Sequence, residues 1–398
     1  MKRFFTLALV VLLATTPTAQ AVPKKITVNP LKLLTTIGLP SEVSGVVVSG
    51  KNLIVYGTQN SRAYAKALDV NGTELWKIQL DQSQGSVATA AAVDAVGDIW
   101  IAGSTPLVAT SVVAPSGTTQ ATINPDNAVI PAPTLAGDLK VLTIWKVSAT
   151  GVIGSPSVLP SNHAILPTAV LIDKAGLTIV GSLASEKTSA GFIISLSFSG
   201  VFSKLTQVGS ISTTIESVSR NTDGTFTLVG PSGETIAGKK LAGLVDGLIV
   251  RVSKDLKIVS AIRSSISKGK RIWNSTTASL LLGGEVVVGN KREVAVTKFS
   301  SRYLPTWTFR FPGTGPGFTI GSTQLLFLSS GAVPELAWNP KTPTPLLITF
   351  NSKGSISAAD SAPIGQRLLL GSLESKELGP LVVTSSADTV SIFIRNTR

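Results

Sequence analysis

The sequence predicts an all-β protein: a single β-propeller of seven four-stranded blades, the last of which is completed by a strand from the N-terminus. Three observations lead to this prediction. Short β-patterned runs separated by hairpin-type turns recur along the chain. A glycine that closes the second run of a repeat returns after roughly 45 to 60 residues in most repeats. After the sixth repeat only three runs remain, and an isolated run near the N-terminus can supply the fourth.

The composition supports strands around a large core. Of the 398 residues 43% are hydrophobic and 14% are charged, which excludes wholesale disorder and favours strands over helices. The chain has no cysteine, and His163 is its single histidine. Disulfides, thiolate metal sites and mechanisms that need two imidazoles are therefore excluded, and we predict no metal and no cofactor.

The first residues have the pattern of a secretory signal peptide. Lys2 and Arg3 precede an apolar run at 4–14, and the sequence Ala-Gln-Ala at 19–21 is a cleavage site of the A-x-A type. We therefore expect residues 1–21 to be a cleaved signal peptide and residues 22–398 to form the propeller domain. The apolar run is too short to span a bilayer comfortably, and no later segment is a transmembrane candidate. The protein is expected to be secreted, periplasmic or associated with the cell surface.

The first repeat, at 43–80, shows the pattern most clearly. Its four runs, A to D, are joined by turns at 49–52, 58–62 and 70–72. Four short strands with tight turns predict one antiparallel blade. The glycine at the end of run B recurs in five repeats, at Gly57, Gly103, Gly181, Gly230 and Gly289.

The later repeats are less regular. In the fifth we expect run A at 277–282, a turn at Gly283 and Gly284, and run B at 285–289. The glycine-rich segment 313–317 lacks the Lys-Ser/Thr of a phosphate-binding loop, so it is interpreted as the loop before a sixth repeat with runs A and B at 324–328 and 333–338. Because the last two repeats are degenerate, six or eight blades remain open.

Closure of the ring provides a specific expectation. Residues 31–37 should pair with residues 390–395, since donating an N-terminal strand to the last blade hides two open sheet edges.

Two repeats resemble known propeller families. Residues 67–76, Ala-Leu-Asp-Val-Asn-Gly-Thr-Glu-Leu-Trp, resemble the repeat of pyrroloquinoline-quinone-type propellers, and residues 94–105 resemble the repeat of secreted bacterial β-propellers. The resemblance implies blade geometry and does not imply a function. A quinoprotein site would need paired cysteines and a calcium constellation, and the sequence offers neither.

The long connections indicate a binding face. The A–B and C–D turns are short, whereas the B–C and D–A connections hold the long segments, including an insertion at 106–139 in the second repeat. Loops on a rigid scaffold commonly carry function, although long loops can also simply be tolerated. The net charge is +13, and we predict a binding site from cations in or beside these connections: Arg62, Lys239, Lys240, Lys268, Lys270, Arg271, Lys291 and Arg292. A solvated rim of mixed charge remains the alternative.

Two function classes follow. The first is an exported non-catalytic propeller that binds an anionic polysaccharide, another component of the cell envelope or a protein. We expect it to be a monomer and expect no nucleic acid as a partner. The alternative is a carbohydrate-active hydrolase or lyase with its site at the propeller mouth. No catalytic residue is assigned, because His163 has no G-x-S-x-G elbow to work with and no acidic pair stands out. Converging carboxylates at the mouth would favour the enzyme, and a lining of Ser, Thr and Lys would favour binding.

Overall fold

The computed structural model describes residues 25–107 and 139–396. Within these ranges the regular elements are all strands, in agreement with the all-β prediction. The described residues contain no helix long and apolar enough to cross a membrane. The predicted signal peptide at 1–21 and all but the ends of the predicted insertion at 106–139 lie outside the described residues.

The strands follow one another with short connections. In chain order the first group is β1 (Val28–Pro30), β2 (Lys32–Gly38), β3 (Val43–Ser49), β4 (Asn52–Gln59), β5 (Arg62–Leu68), β6 (Glu74–Gln79), β7 (Val87–Val93), β8 (Ile99–Thr105), β9 (Val141–Val147) and β10 (Ser157–Pro160). The next group is β11 (Ala164–Asp173), β12 (Gly176–Ala184), β13 (Ser189–Leu196), β14 (Thr206–Val208), β15 (Ser217–Arg220), β16 (Phe226–Ser232), β17 (Asp246–Val252) and β18 (Ile258–Ser264). The last group is β19 (Lys270–Thr276), β20 (Leu281–Val288), β21 (Lys291–Phe299), β22 (Pro305–Ile320), β23 (Gln324–Ser329), β24 (Thr344–Phe350), β25 (Ile356–Ser361), β26 (Leu368–Ser375), β27 (Gly379–Ser385) and β28 (Val390–Ile394).

Five sheets have the four strands of a propeller blade. They are β3–β6, β7–β10, β11–β14, β15–β18 and the sheet ordered β2-β28-β27-β26. A sixth sheet has eight strands in the order β1-β25-β24-β23-β22-β21-β20-β19. The described residues therefore form five separate four-stranded sheets, where the sequence predicted seven blades.

The sheets are arranged as a propeller around a central cavity. The strands β3, β7, β11, β15, β19, β22 and β26 contact one another in that order, and β26 contacts β3. Residues from six of these strands line one cavity of about 310 Å³. We call these seven the inner strands.

The first and last parts of the described chain meet in one sheet. Strand β2 pairs antiparallel with β28, so that Lys32 lies opposite Ile394 and Thr36 opposite Ser391. Ile37 and Ile392 are buried in the same apolar cluster, which also contains residues of β3 and β4. The predicted pairing of the N-terminal and C-terminal runs is therefore present.

The core lies between neighbouring sheets. One cluster joins β7–β10 to β11–β14, with Trp100 and Phe192 among its buried residues. The next joins β11–β14 to β15–β18 through residues such as Ile193 and Leu228. Each sheet thus buries apolar side chains on both faces, which explains why so many second and third strands are apolar at consecutive positions.

Glycines of the second strands allow the backbones of two strands to approach closely. A Cβ atom at Gly57 would lie 1.9 Å from the carbonyl oxygen of Glu42, and one at Gly230 would lie 2.0 Å from that of Thr214. In the fifth repeat this position is Gly284, whose Cβ would lie 2.0 Å from the carbonyl oxygen of Ile272. The prediction that Gly289 is the equivalent glycine is wrong, because Gly289 follows β20 in a hairpin turn, with φ at +56°.

Two further boundary predictions in this region are wrong. The first strand of the fifth repeat is β19, which begins at Lys270, and Gly283 and Gly284 lie inside β20. The segment 313–317 lies within β22, and its Gly315, at φ +76°, accompanies a register shift between Thr314 and Phe318. Residues 324–328 therefore belong to a second strand, β23, and residues 333–338 belong to the connection between β23 and β24.

Candidate anion-binding site

Seven of the eight predicted binding cations lie in or beside the connections of two sequential sheet units, β15–β18 and β19–β22. Lys239 and Lys240 lie between β16 and β17, and Lys268 lies between β18 and β19. Lys270 and Arg271 begin β19, and Lys291 and Arg292 begin β21. Arg62 begins β5, which belongs to a different sheet.

Arg271 is the buried member of this set. It is 5% exposed, and its guanidinium carbon lies 3.8 Å from the centre of the Trp273 ring. Gly247 on β17 makes room for both side chains, because a Cβ there would lie 2.6 Å from the Trp273 ring and 3.1 Å from Cγ of Arg271. The arginine is thus packed between β17 and β19 and does not extend into solvent.

The charge of Arg271 has no carboxylate partner among the described residues. Burial, with a smaller contribution from the positive charge of Arg310, lowers the pKa of Arg271 to about 9, so the guanidinium is still protonated at neutral pH. Burying an unpaired charge is unfavourable, and proteins usually offset the cost with a counter-charge. An anion from solution can supply that counter-charge here.

The connections next to Arg271 form one continuous rim. Leu244 donates a backbone hydrogen bond to Gly269, with an N···O distance of 2.8 Å, and Arg271 donates one to Val245 at 2.9 Å. These bonds fasten the connection between β16 and β17 to the connection between β18 and β19. We call residues 236–245 and 265–271 the basic rim. Lys239, Lys240, Lys268 and Lys270 are all exposed on it.

Two acids near the basic rim accept hydrogen bonds from backbone amides of the connections. Asp246 is fully buried, accepts backbone hydrogen bonds from Ala242 and Gly243, and pairs with Arg263 at 3.4 Å. Glu234 accepts backbone hydrogen bonds from Ser210, Ile211 and Ser212 at 2.9–3.0 Å. Burial alone would raise the pKa of Glu234, but these bonds outweigh it and lower the pKa to about 2.

Lys291 and Arg292 differ from the rim lysines because they have acidic partners. Lys291 Nζ lies 2.7 Å from Glu293, and Arg292 Nε lies 3.4 Å from Glu285. Their charges are thereby partly neutralised. The unpartnered positive charge of the predicted set is concentrated on the basic rim.

The remaining predicted residues lie elsewhere. Arg62 is half-buried, and its Nε atom is buried without a hydrogen-bond partner among the described residues. His163 is exposed ahead of β11, and its backbone amide donates to Ser161 Oγ at 3.1 Å. The structure does not bring either residue to the basic rim.

Sequence reasoning missed three residues of this site. Trp273 and Arg310 lie on the same face of their sheet as Arg271. Trp273 is two residues after Arg271 on β19, so the two side chains share a face. Trp273 is in register with Arg310 across the sheet, through Gly284 and Ala295. The pattern Arg-x-Trp within a strand could have indicated the stacked pair. Gly247 gives no comparable local signal, since its role depends on a strand of another sheet.

The central cavity is the second polar feature. Many of its lining residues carry hydroxyl groups: Tyr56, Thr168, Ser217, Ser275, Thr276, Thr319 and Ser372. Glu216 is the one charged residue among the described residues that line it. Among the described residues no group of three or more His, Asp or Glu side chains is placed to hold a metal ion.

Comparisons with known proteins support the fold alone. No protein-family model matches the chain, and no curated protein does either. The WD40 domain of Toxoplasma gondii coronin is 10% identical over 94% of this chain and 90% of its own, with a TM-score of 0.52. A protein of unknown function from Bacteroides caccae is 12% identical over 80% of this chain and 81% of its own, with a TM-score of 0.38. The similarity to the coronin domain supports a β-propeller, whereas neither of the two repeat families named from the sequence is confirmed.

Proposed function

We propose that the protein is an exported, non-catalytic β-propeller that binds an anionic glycan or another anionic polymer of the cell envelope along the basic rim. The observation that carries this proposal is Arg271, a buried charge without a carboxylate partner among the described residues. Four exposed lysines lie on the basic rim, in or beside the two connections that are hydrogen-bonded to each other next to Arg271. Such an arrangement suits a ligand with several negative charges.

The energetics favour a polymer over a single small anion. Each exposed lysine contributes less than about 1 kcal/mol to a surface ion pair, and salt screens that contribution. Several such contacts along a repeating polyanion add up, while the desolvated Arg271 supplies a stronger charge-assisted hydrogen bond. Binding should therefore weaken steeply as ionic strength rises.

The lining of the central cavity favours binding over carbohydrate hydrolysis. Glycoside hydrolysis in its common form uses two carboxylates that flank the scissile bond. The described residues of the cavity lining include Glu216 and no second acid, and their other polar groups are mainly hydroxyls. Ser and Thr hydroxyls are part of the lining that we expected for a binding protein, whereas the described lining has no Lys.

We infer further that the ring has seven blades. Strand β22 pairs with β21 through residues 305–312 and with β23 through residues 313–320. The eight-stranded sheet can thus be divided into one blade of β19–β22 and one of β22–β25, with β1 added at the outer edge. Seven inner strands in a closed order of contacts support this count.

Export remains part of the proposal and is supported by the sequence of residues 1–21. Mass spectrometry of the protein recovered from its producing cell should give a chain that begins at Val22. Recovery of a chain that retains residues 1–21 would contradict export by this route.

The binding proposal is tested with residues 22–398 and heparin as a sulfated polysaccharide probe, with neutral dextran as the control ligand. Isothermal titration calorimetry should detect binding of heparin and no binding of dextran. The affinity for heparin should fall as salt is added. Replacing Lys239, Lys240, Lys268 and Lys270 by Ala should weaken binding at least about tenfold. The matched control replaces four exposed lysines of the A–B and C–D turns, Lys51, Lys174, Lys254 and Lys353, and changes the net charge equally. Equal losses in the two quadruple variants would show non-specific attraction and contradict a rim site.

A further inference from the structure

The central cavity has the features of a ligand site that is separate from the basic rim. Its volume is about 310 Å³, at the lower end of the range for small-molecule pockets. It is lined from six of the seven inner strands, so it lies where the sheets converge. A site there is held by the rigid part of the fold rather than by loops.

Two polar atoms of the lining residues lack partners. Asn274 Oδ1 and Ser372 Oγ are buried atoms without a hydrogen bond among the described residues. Buried polar side-chain atoms are hydrogen-bonded in the large majority of cases. Asn274 lies on β19 and Ser372 on β26, so both of these unsatisfied atoms belong to residues that line the same cavity from different sheets.

The charge of the cavity is opposite to that of the whole protein. Glu216 contributes a negative charge, and the part of the lining that the structure describes contains no Lys, Arg or His. Thr214 Oγ1 donates to Glu216 Oε1 at 2.7 Å, and within the described residues no hydrogen bond is made to Oε2. A carboxylate oxygen and an amide oxygen without donors call for a ligand that donates hydrogen bonds and carries positive charge.

The aromatic residues of the lining favour the same kind of ligand. Phe318 lines the cavity and is half-buried, and an aromatic face attracts ammonium groups. Tyr56 reaches the cavity because Gly45 leaves room for it: a Cβ at Gly45 would lie 2.3 Å from the Tyr56 hydroxyl oxygen. Burial raises the pKa of Tyr56 to about 12, so its hydroxyl keeps its proton at neutral pH.

We propose that the central cavity binds a small organic molecule with one ammonium group, which pairs with Glu216 and donates to Asn274 Oδ1. A hydroxyl group on the body of the ligand would satisfy Ser372. A bare metal ion suits the site less well, because one carboxylate gives little charge for a divalent cation and the cavity is far larger than an ion. This inference goes beyond the proposed rim function and does not depend on it.

The test uses residues 22–398 and isothermal titration calorimetry with three primary ammonium probes: glucosamine, ethanolamine and serinol. Glucose and calcium chloride are the comparison ligands. We expect at least one ammonium probe to bind and glucose not to bind. Glu216→Gln should weaken that binding at least about tenfold, because it removes the charge and retains the shape. Glu186→Gln changes an exposed acid outside the lining and should leave it unchanged.

The outcomes separate this site from the basic rim. The rim variant with four lysines replaced should bind the ammonium probe as the unmodified chain does, so a failure of heparin binding leaves this result intact. If Glu216→Gln does not fold, as judged by circular dichroism, Asn274→Ala tests the same cavity. Absence of binding for all three probes, binding of calcium alone, or unchanged binding in both cavity variants would overturn the proposal.

Discussion

The guanidinium of Arg271 stacks on the ring of Trp273 at 3.8 Å, and the pair lies against Gly247 of the neighbouring sheet. A cation above an aromatic face gains roughly 0.5 to 2 kcal/mol, the upper value applying where water is excluded. That gain does not replace a counter-ion, and the described residues provide none. The stack therefore fixes the direction of the guanidinium, and under the proposed function an anion bound at the basic rim offsets its charge.

Replacing Arg271 by Met tests this relationship. The apolar side chain retains contact with Trp273 and removes the buried charge, so we expect the free energy of unfolding to rise by roughly 1 to 3 kcal/mol. Heparin binding should weaken at the same time. Urea unfolding and calorimetry on the same preparation measure both effects. A variant that is less stable and binds heparin as before would show that Arg271 is structural.

Replacing Lys268 by glycine should relieve backbone strain, which favours stability, and remove a charge, which weakens heparin binding. Its φ is +53°, a conformation that side chains other than glycine adopt rarely. Lys268→Gly should therefore leave stability unchanged or raise it by up to about 1 kcal/mol, while heparin binding weakens severalfold. Lys268→Ala is the control, because it removes the same charge and keeps the strain. If binding is unchanged in both variants, Lys268 is not part of the site.

The lowered pKa of Glu234 predicts a pH-dependent contribution to the stability of the folded chain. Its carboxylate accepts hydrogen bonds from three consecutive backbone amides, and its pKa in the folded protein is about 2, below the value of about 4.3 for an unfolded chain. A lowered carboxyl pKa stabilises the folded state fully above the unfolded pKa, and this stabilisation is lost as pH falls towards 2.

Thermal unfolding of Glu234→Gln at several pH values measures that contribution. The unmodified chain should be more stable than the variant at pH 7, and the difference should shrink between about pH 4 and pH 2. Glu186→Gln, at an exposed position, should show little difference at any of these pH values. A difference for Glu234→Gln that stays constant with pH would mean that the hydrogen-bonded charge is not its source.

The parts of the fold that depend on neighbouring residues could be predicted from the sequence. Alternating apolar residues and turn glycines indicated β3–β6 almost residue by residue, because hairpins are specified locally. The pairing of β2 with β28 is distant in sequence, yet it followed from a general requirement that open sheet edges be covered. The basic residues were selected from their position near connections and stay a predicted site, and which of them lack acidic partners was not predictable from the sequence.

The errors occur where the tertiary structure gives a local signal a different meaning. Gly283 and Gly284 have the sequence of a turn, but the second of them is needed inside β20, where only hydrogen fits against Ile272. The glycines at 313–317 suggested a loop, but they allow a register shift within β22. The burial of Arg271 depends on Gly247 in another sheet, and no pattern around Arg271 contains that information.

The two glycines of the fifth repeat provide a direct comparison. A Cβ at Gly284 would lie 2.0 Å from the Ile272 carbonyl oxygen, whereas Gly289 has open space around its Cβ position and a φ of +56°. Gly284→Ala should destabilise the protein by about 3 kcal/mol or more, because two backbones must separate. Gly289→Ala should cost only about 1 kcal/mol, from backbone strain. Urea unfolding measures both, and equal losses would contradict the assignment of Gly284 to the close approach.

The closing strand β2 should contribute stability in proportion to what each side chain buries. Ile37 is 1% exposed and lies in the cluster shared with β3 and β28, whereas Leu33 on the same strand is 49% exposed. Ile37→Ala should therefore cost about 2 to 5 kcal/mol, and Leu33→Ala should change stability by less than about 0.5 kcal/mol.

Deleting residues 22–38 removes β2 together with β1, which pairs with β25, and leaves the edge of β28 unpaired. The melting temperature should therefore fall and the protein should form oligomers. Differential scanning calorimetry and light scattering after size-exclusion chromatography measure these effects. If the deleted chain melts as the full chain does and stays monomeric, then β2 is dispensable and the pairing of Lys32 with Ile394 does not close the ring.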